Sequence, residues 1–164
     1  MDYLTRAETM GQDVNALQRG EIITGPVTVN TIAEYRAIFG SGQCDAHRAA
    51  YAGLRPTDNG IEPGMQSLLD HVYGTQELTP ELEDLSQKLF PMTVLVTSAA
   101  DMSITSDIVI GPSGQSYALN VGTLTFDGGS LTINNTVSTI TVDNLIITPQ
   151  ESPTSANSYQ IGII

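Results

Sequence analysis

Reactive side chains cluster at one place in this sequence, Cys44-Asp45-Ala46-His47. On a helix, a spacing of three sets the thiol and the imidazole one turn apart on one face. Such a pair suits a thiolate nucleophile activated by histidine, or two ligands of a metal ion. A structural metal site needs more ligands, and the other histidine, His71, follows Asp70 with no cysteine beside it. Without a second pair, the cluster reads as a capping aspartate beside a small thiol and a surface histidine. No metal and no cofactor is expected.

Carboxylates are the other candidates. Asp101, Asp107, Asp127 and Asp143 lie in the second half of the chain, where two carboxylates flanking a sugar could hydrolyse it. A polysaccharide lyase would add a cation to hold the developing charge, yet residues 91–164 contain no Lys, Arg or His. All four aspartates sit next to turn residues, so a structural role is expected for each. Oxygen ligands alone can hold Ca²⁺, but no loop here carries a calcium-binding pattern. Gly111-Pro112-Ser113-Gly114 lacks the lysine and following helix of a phosphate loop, and the sequon Asn134-Asn135-Thr136 matters only on a glycosylating route.

Composition narrows the partners. Eighteen acidic against six basic residues give a formal net charge of -12. That balance disfavours nucleic acid and anionic membrane, both of which demand clustered Lys and Arg. A hydrophobic fraction of 40% suffices for a packed core, and a lone cysteine excludes an intramolecular disulfide. The first residues lack the basic start and apolar run of a secretory signal, and no apolar stretch approaches the ~20 residues of a membrane span. The expectation is a chain without membrane insertion, either cytoplasmic or exported by a route that needs no such signal, including as part of a particle.

The elements that must position these residues fall into two kinds. Residues 1–90 hold all six basic residues and read as helical with one short strand; residues 91–148 read as β; 149–164 form a Pro/Ser-rich linker and an apolar C-terminal strand. Leu4, Ala7, Met10, Val14 and Leu17 predict one helix from Tyr3 to Gln18, weakened at Gly11. Glu21 to Val29 predicts a strand. Thr31-Ile32-Ala33-Glu34 is a capping box opening a helix that ends at Gly40. Asp45 to Ala52 and Gly64 to Tyr73 predict two more helices, with turn chemistry between them at Pro56–Gly60. Thr79 as cap, Pro80 at the first position, and Glu81, Glu83 and Asp84 near the positive dipole end predict the next, with Leu82, Leu85 and Leu89 inward. Within this half, Gly25-Pro26-Val27-Thr28-Val29-Asn30-Thr31-Ile32-Ala33-Glu34-Tyr35-Arg36-Ala37-Ile38-Phe39-Gly40 resembles the strand-then-helix segment common in contractile phage tail sheath proteins. The resemblance covers 16 of 164 residues and bears on assembly.

After Pro91 the apolar period changes to two, and apolar-x-apolar triplets begin at 94, 102, 108, 119, 124, 131, 140 and 145. Taken every third, they recur at similar steps: 94 to 119, 102 to 124, 108 to 131, 119 to 140 and 124 to 145. That is the pattern of a three-sided parallel β-solenoid. Val94, Leu119 and Ile140 would stack on one side, Met102, Leu124 and Leu145 on the next, and Ile108 and Leu131 on the third. The alternative is an antiparallel β-sandwich with Asp127-Gly128-Gly129 and Asn134-Asn135 as hairpin turns. The fold class expected is α+β, a helical part packed on a short solenoid.

Two functional expectations follow. The first is a non-enzymatic structural subunit that self-associates into a homo-oligomer or filament through β edges and its C-terminal strand, with Tyr159, Ile161, Ile163 and Ile164 as contacts. The second is a module binding glycan or a protein surface through a Ser/Thr/Asn face bearing Thr125, Thr132 and Thr141. A small hydrolase using Cys44 and His47 stands third.

Overall fold

Asp2 opens the chain by capping a helix: its carboxylate accepts the Thr5 N–H at 2.8 Å, which holds its pKa below the usual range. In the computed structural model, which describes residues 1–40, 45–54, 63–110, 116–133 and 138–148, that helix, α1 (Tyr3–Thr9), is short. Gly11 takes a φ of 74°, a left-handed conformation that stops it. Asp13 then caps α2 (Val14–Gln18) by accepting the Ala16 N–H at 3.1 Å. The single helix expected from Tyr3 to Gln18 is thus two. Ala7, Ala16 and Leu17 are buried, and so is Arg6, which lies off the apolar stripe.

The chain folds as two units, residues 1–27 with 94–164, and residues 28–93. The second unit holds α3 (Ile32–Phe39), α4 (Asp45–Leu54), α5 (Pro63–Tyr73) and α6 (Pro80–Gln87). Thr31 accepts the Glu34 N–H at 3.1 Å, while the Glu34 carboxylate reaches one residue further out than a capping box requires, to the Asn30 N–H at 2.8 Å. Tyr35 packs its ring on Phe39 and Phe90, with centroids 5.0 and 6.2 Å apart. Thr79 caps α6 at the Leu82 N–H, but α6 stops at Gln87, so Leu89 lies past its end and is exposed while Ser86 is buried.

The first unit contains most of the β structure. With β1 (Ile23–Val29), the strands β2 (Met92–Ile104), β4 (Ser116–Phe126) and β6 (Ser138–Ile147) form a mixed sheet in the order β1-β2-β4-β6. Pro26 is tolerated in β1 because that strand is an edge. A second sheet pairs β3 (Ile108–Ile110) with β5 (Leu131–Ile133). The pairs β2/β4, β4/β6 and β3/β5 are all parallel. Asp127-Gly128-Gly129 therefore links β4 to a strand in the other sheet and makes no hairpin. Among the described residues no closed barrel forms.

Each pairing keeps one offset from end to end. Val94 lies beside Ser116 and Ile104 beside Phe126; Tyr117 lies beside Ser138 and Phe126 beside Ile147; Ile108 lies beside Leu131 and Ile110 beside Ile133. The ladder continues past the strands, with Asp127 N–H donating to the Ile104 carbonyl and Thr148 N–H to the Phe126 carbonyl, both at 2.9 Å. The pairing skips Ala100, Gly122 and Asp143, which share one position along β2, β4 and β6. There the buried set changes parity. Leu119 and Val121 belong to the core before the break and Leu124 and Phe126 after it, so the core face of the strand switches there. Met102, Tyr117, Leu131, Ile140 and Val142 pack around this core.

Candidate interaction edge

Two features of the first unit could carry function, a polar cluster under α1 and the outer edge of β6. The polar cluster grows from one row of the sheet, Ser98, Asn120 and Thr141, which are register partners and so share a face. Ser98 and Asn120 are buried and need partners. Asn120 Nδ2 donates to the Tyr3 carbonyl at 2.9 Å and to Ser98 Oγ at 3.0 Å. Its Oδ1 accepts Arg6 Nε at 2.7 Å, and Ser98 Oγ donates to Gln12 Oε1 at 2.5 Å. Arg6 extends the cluster, with Nη2 on Asp143 Oδ1 at 2.6 Å and Nη1 on the Met1 carbonyl at 2.5 Å. Asp143 Oδ2 accepts the Tyr3 N–H at 2.8 Å.

Chemically this is a clasp. The β strands lack a cation of their own, and the N-terminal helix supplies one in Arg6, but its three donor nitrogens are engaged with protein acceptors. Ser98 has an amide on either side and no base, so it is not set up as a nucleophile. The Tyr3 phenol is pushed above its usual value of 10.0, chiefly by burial and then by the charges of Asp101, Asp2 and Asp143. A raised folded pKa gives stability that is complete below the unfolded value and lost as pH rises through the folded one. Tyr3→Phe should therefore flatten the alkaline limb of stability above about pH 10, measured as urea midpoints across a pH series.

The other sequence candidates separate. Cys44 lies outside the described residues, and His47 stands on α4, where the Asp45 carboxylate is 4.0 Å from Arg48. His71 is buried on α5 with Nδ1 2.9 Å from the Gln76 carbonyl, and Asp70 accepts from Gln66. Asp107 accepts the Ser130 hydroxyl at 2.7 Å, Asp101 and Asp127 are exposed, and Asp143 is held by Arg6. Among the described residues no three His, Cys, Asp or Glu side chains come together as a metal site, and no helix is long and apolar enough to cross a membrane. A groove of about 300 Å³ in the second unit is lined by residues including Asn30, Thr31, Glu83, Ser86 and Phe90, with no Lys, Arg or His among them. Thr125, Thr132 and Thr141 occupy three rows: Thr125 between Ser103 and Ile146, Thr132 beside Val109 in the smaller sheet, Thr141 beside Asn120. Tyr159, Ile161, Ile163, Ile164 and the Asn134-Asn135-Thr136 sequon lie outside the described residues.

The edge has a different character. β6 ends the order β1-β2-β4-β6, so its outer backbone groups have no strand partner among the described residues. Along the inward rows exposure climbs toward it, from 1% at Ile104 through 9% at Phe126 to 40% at Ile147. In the neighbouring row Leu124 is 2% exposed and its partner Leu145 is 45% exposed. Ile146 between them is also exposed, giving three consecutive apolar side chains on an open strand. Lysine is a usual guard against edge pairing, and residues 91–164 contain none. In the smaller sheet, Ile108 and Val109 of β3 are exposed as well. Comparison with family models, curated proteins and solved structures gave no match.

Proposed function

We propose that this protein is a non-enzymatic structural subunit whose β part is a short three-sided parallel solenoid, and that copies associate through its open ends into a homo-oligomer or filament. The solenoid reading is supported by the constant offset within each of the three parallel pairings and by the break shared at Ala100, Gly122 and Asp143. The self-association reading rests on one observation above all, the climb in exposure along rows whose earlier members are core. A row that is dry at Ile104 and wet at Ile147 lacks the layer that would cover it. Stacked repeats bury their apolar faces only against neighbours, so an end without a cap favours a further layer. Leu145, Ile146 and Ile147 at one end and Ile108 and Val109 at the other provide two apolar ends, and a head-to-tail contact between unlike ends extends into a filament.

A charge on that edge separates association from folding. Leu145→Lys with Ile147→Lys should leave the unfolding transition in place, since both residues are already substantially exposed. It should weaken association at least about tenfold, the equivalent of about 1.4 kcal/mol. Light scattering across a dilution series reads this directly. Unchanged association in the double variant would remove β6 from the interface.

A further inference from the structure

The groove of the second unit lies wholly within residues 28–93 and owes nothing to β6. Its apolar lining includes Ile32, which is buried, and Leu78 and Phe90, which are half-buried. Three of its polar side chains offer acceptors. Ser86 is 3% exposed and donates its hydroxyl proton to the Glu83 carbonyl at 2.7 Å, so its lone pairs remain. Asn30 Nδ2 donates to the Glu34 carboxylate at 3.2 Å, which leaves Oδ1 as the acceptor of that amide. Glu83 lies one turn before Ser86 on α6, and among the described residues its carboxylate has no cation within ion-pair distance.

Apolar walls beside acceptors and one carboxylate suit a donor that carries positive charge on an apolar stem. We propose that this groove binds a small alkylammonium ion, its carbon chain against Ile32, Leu78 and Phe90 and its charge on Glu83. A volume of about 300 Å³ stands at the small end of ligand cavities, room for a short chain and too little for a macromolecule. An ammonium has three donors and no acceptor, which matches Glu83, Ser86 and Asn30 in kind. A carboxylate ligand would meet Glu83 as a like charge, and an alcohol would gain the walls without the charge. The formal net charge of -12 draws in any cation, and a charge change on the same helix outside the groove separates that general attraction from the site.

Saturation-transfer NMR of n-pentylammonium chloride with the 164-residue chain reads binding from the ligand, whatever the size of the protein particle. The comparison ligands n-pentanol and n-pentanoate carry the same chain without the positive charge. The expected result is n-pentylammonium binding about fivefold more tightly than n-pentanol, with n-pentanoate weaker than either. Glu83→Gln should cancel that preference and leave n-pentanol binding as before. Glu81→Gln, on the same helix but outside the groove lining, should keep it. Ala33→Leu adds bulk to the lining at an exposed position and should lose both n-pentylammonium and n-pentanol. Equal binding of the three ligands, a preference that survives Glu83→Gln or disappears in Glu81→Gln, binding unchanged in Ala33→Leu, or no transfer to n-pentylammonium at all would overturn the proposal. Self-association is read separately, by sedimentation.

Discussion

Replacing Arg6 with methionine is expected to destabilise the first unit by about 3–5 kcal/mol. Arg6 is 6% exposed, and three of its nitrogens reach three acceptors that are distant from one another in sequence, Met1, Asn120 and Asp143. Methionine keeps much of the stem's packing but donates nothing. Asn120 Oδ1 is then stranded in a buried site and Asp143 keeps a charge without its counterion. Each unsatisfied buried group costs about 1–3 kcal/mol, and more when charged. Arg6→Lys should recover only part of the loss, since an ammonium cannot reproduce the guanidinium fork. A double-mutant cycle with Asp143→Asn, followed by urea unfolding, measures the pair. Coupling below about 0.5 kcal/mol would show that the two side chains act independently and that the clasp is not what holds α1 to the sheet.

Gly122→Ala is the second large expected effect, about 1–3 kcal/mol, with Gly122→Val beyond it. Gly122 stands in the middle of the shared break. A Cβ there would lie 2.6 Å from the Ala100 carbonyl oxygen and 3.0 Å from two ring carbons of Tyr3. One neighbour is backbone and cannot swing away. The other is the first helical residue of α1, whose own N–H is bound to Asp143. The corner has room for a backbone on one side and an aromatic ring on the other, and for nothing more. Gly25→Ala serves as the control, since nothing lies within 4 Å of its Cβ position. It should fall within about 0.5 kcal/mol of the parent. Equal midpoints for the two variants would mean that the strands do not pack against α1 at this corner.

Local signals in the sequence carried much of this. Thr79-Pro80 and Thr31 specify helix starts through side-chain and ring geometry within a few residues, and both helices begin where those signals lie. The rows Met102–Leu124–Leu145, Ile108–Leu131 and Leu119–Ile140 are register partners in the structure, because parallel strands held at one offset set like residues side by side. Val94 is the exception. It lies beside Ser116, and with Val96 it shares the face of Ser98, opposite to Leu119. β2 is buried on both faces from Val96 to Ala99, so apolar alternation there does not reveal which face is which.

Arg6 was illegible for a related reason. Its neighbours Ala7 and Leu4 mark an apolar stripe, and nothing within a turn of it signals burial. Its partners Asn120 and Asp143 lie 114 and 137 residues away. The helical pattern of residues 3–18 likewise says that helices form there, without saying which layer receives them. That α1 and α2 belong to the unit with the parallel strands depends on the same distant hydrogen bonds. The open edge at β6 was partly visible, as a lysine-free run with an apolar triplet at its end. The climb in exposure that gives it meaning depends on the order of strands in the sheet.

Sedimentation velocity of the 164-residue chain, from low to high micromolar concentration, is the decisive test of self-association. A self-associating subunit gives a weight-average sedimentation coefficient that rises with concentration, with Leu145→Lys/Ile147→Lys remaining at the monomer value. A parent protein that sediments as a monomer throughout that range would contradict it.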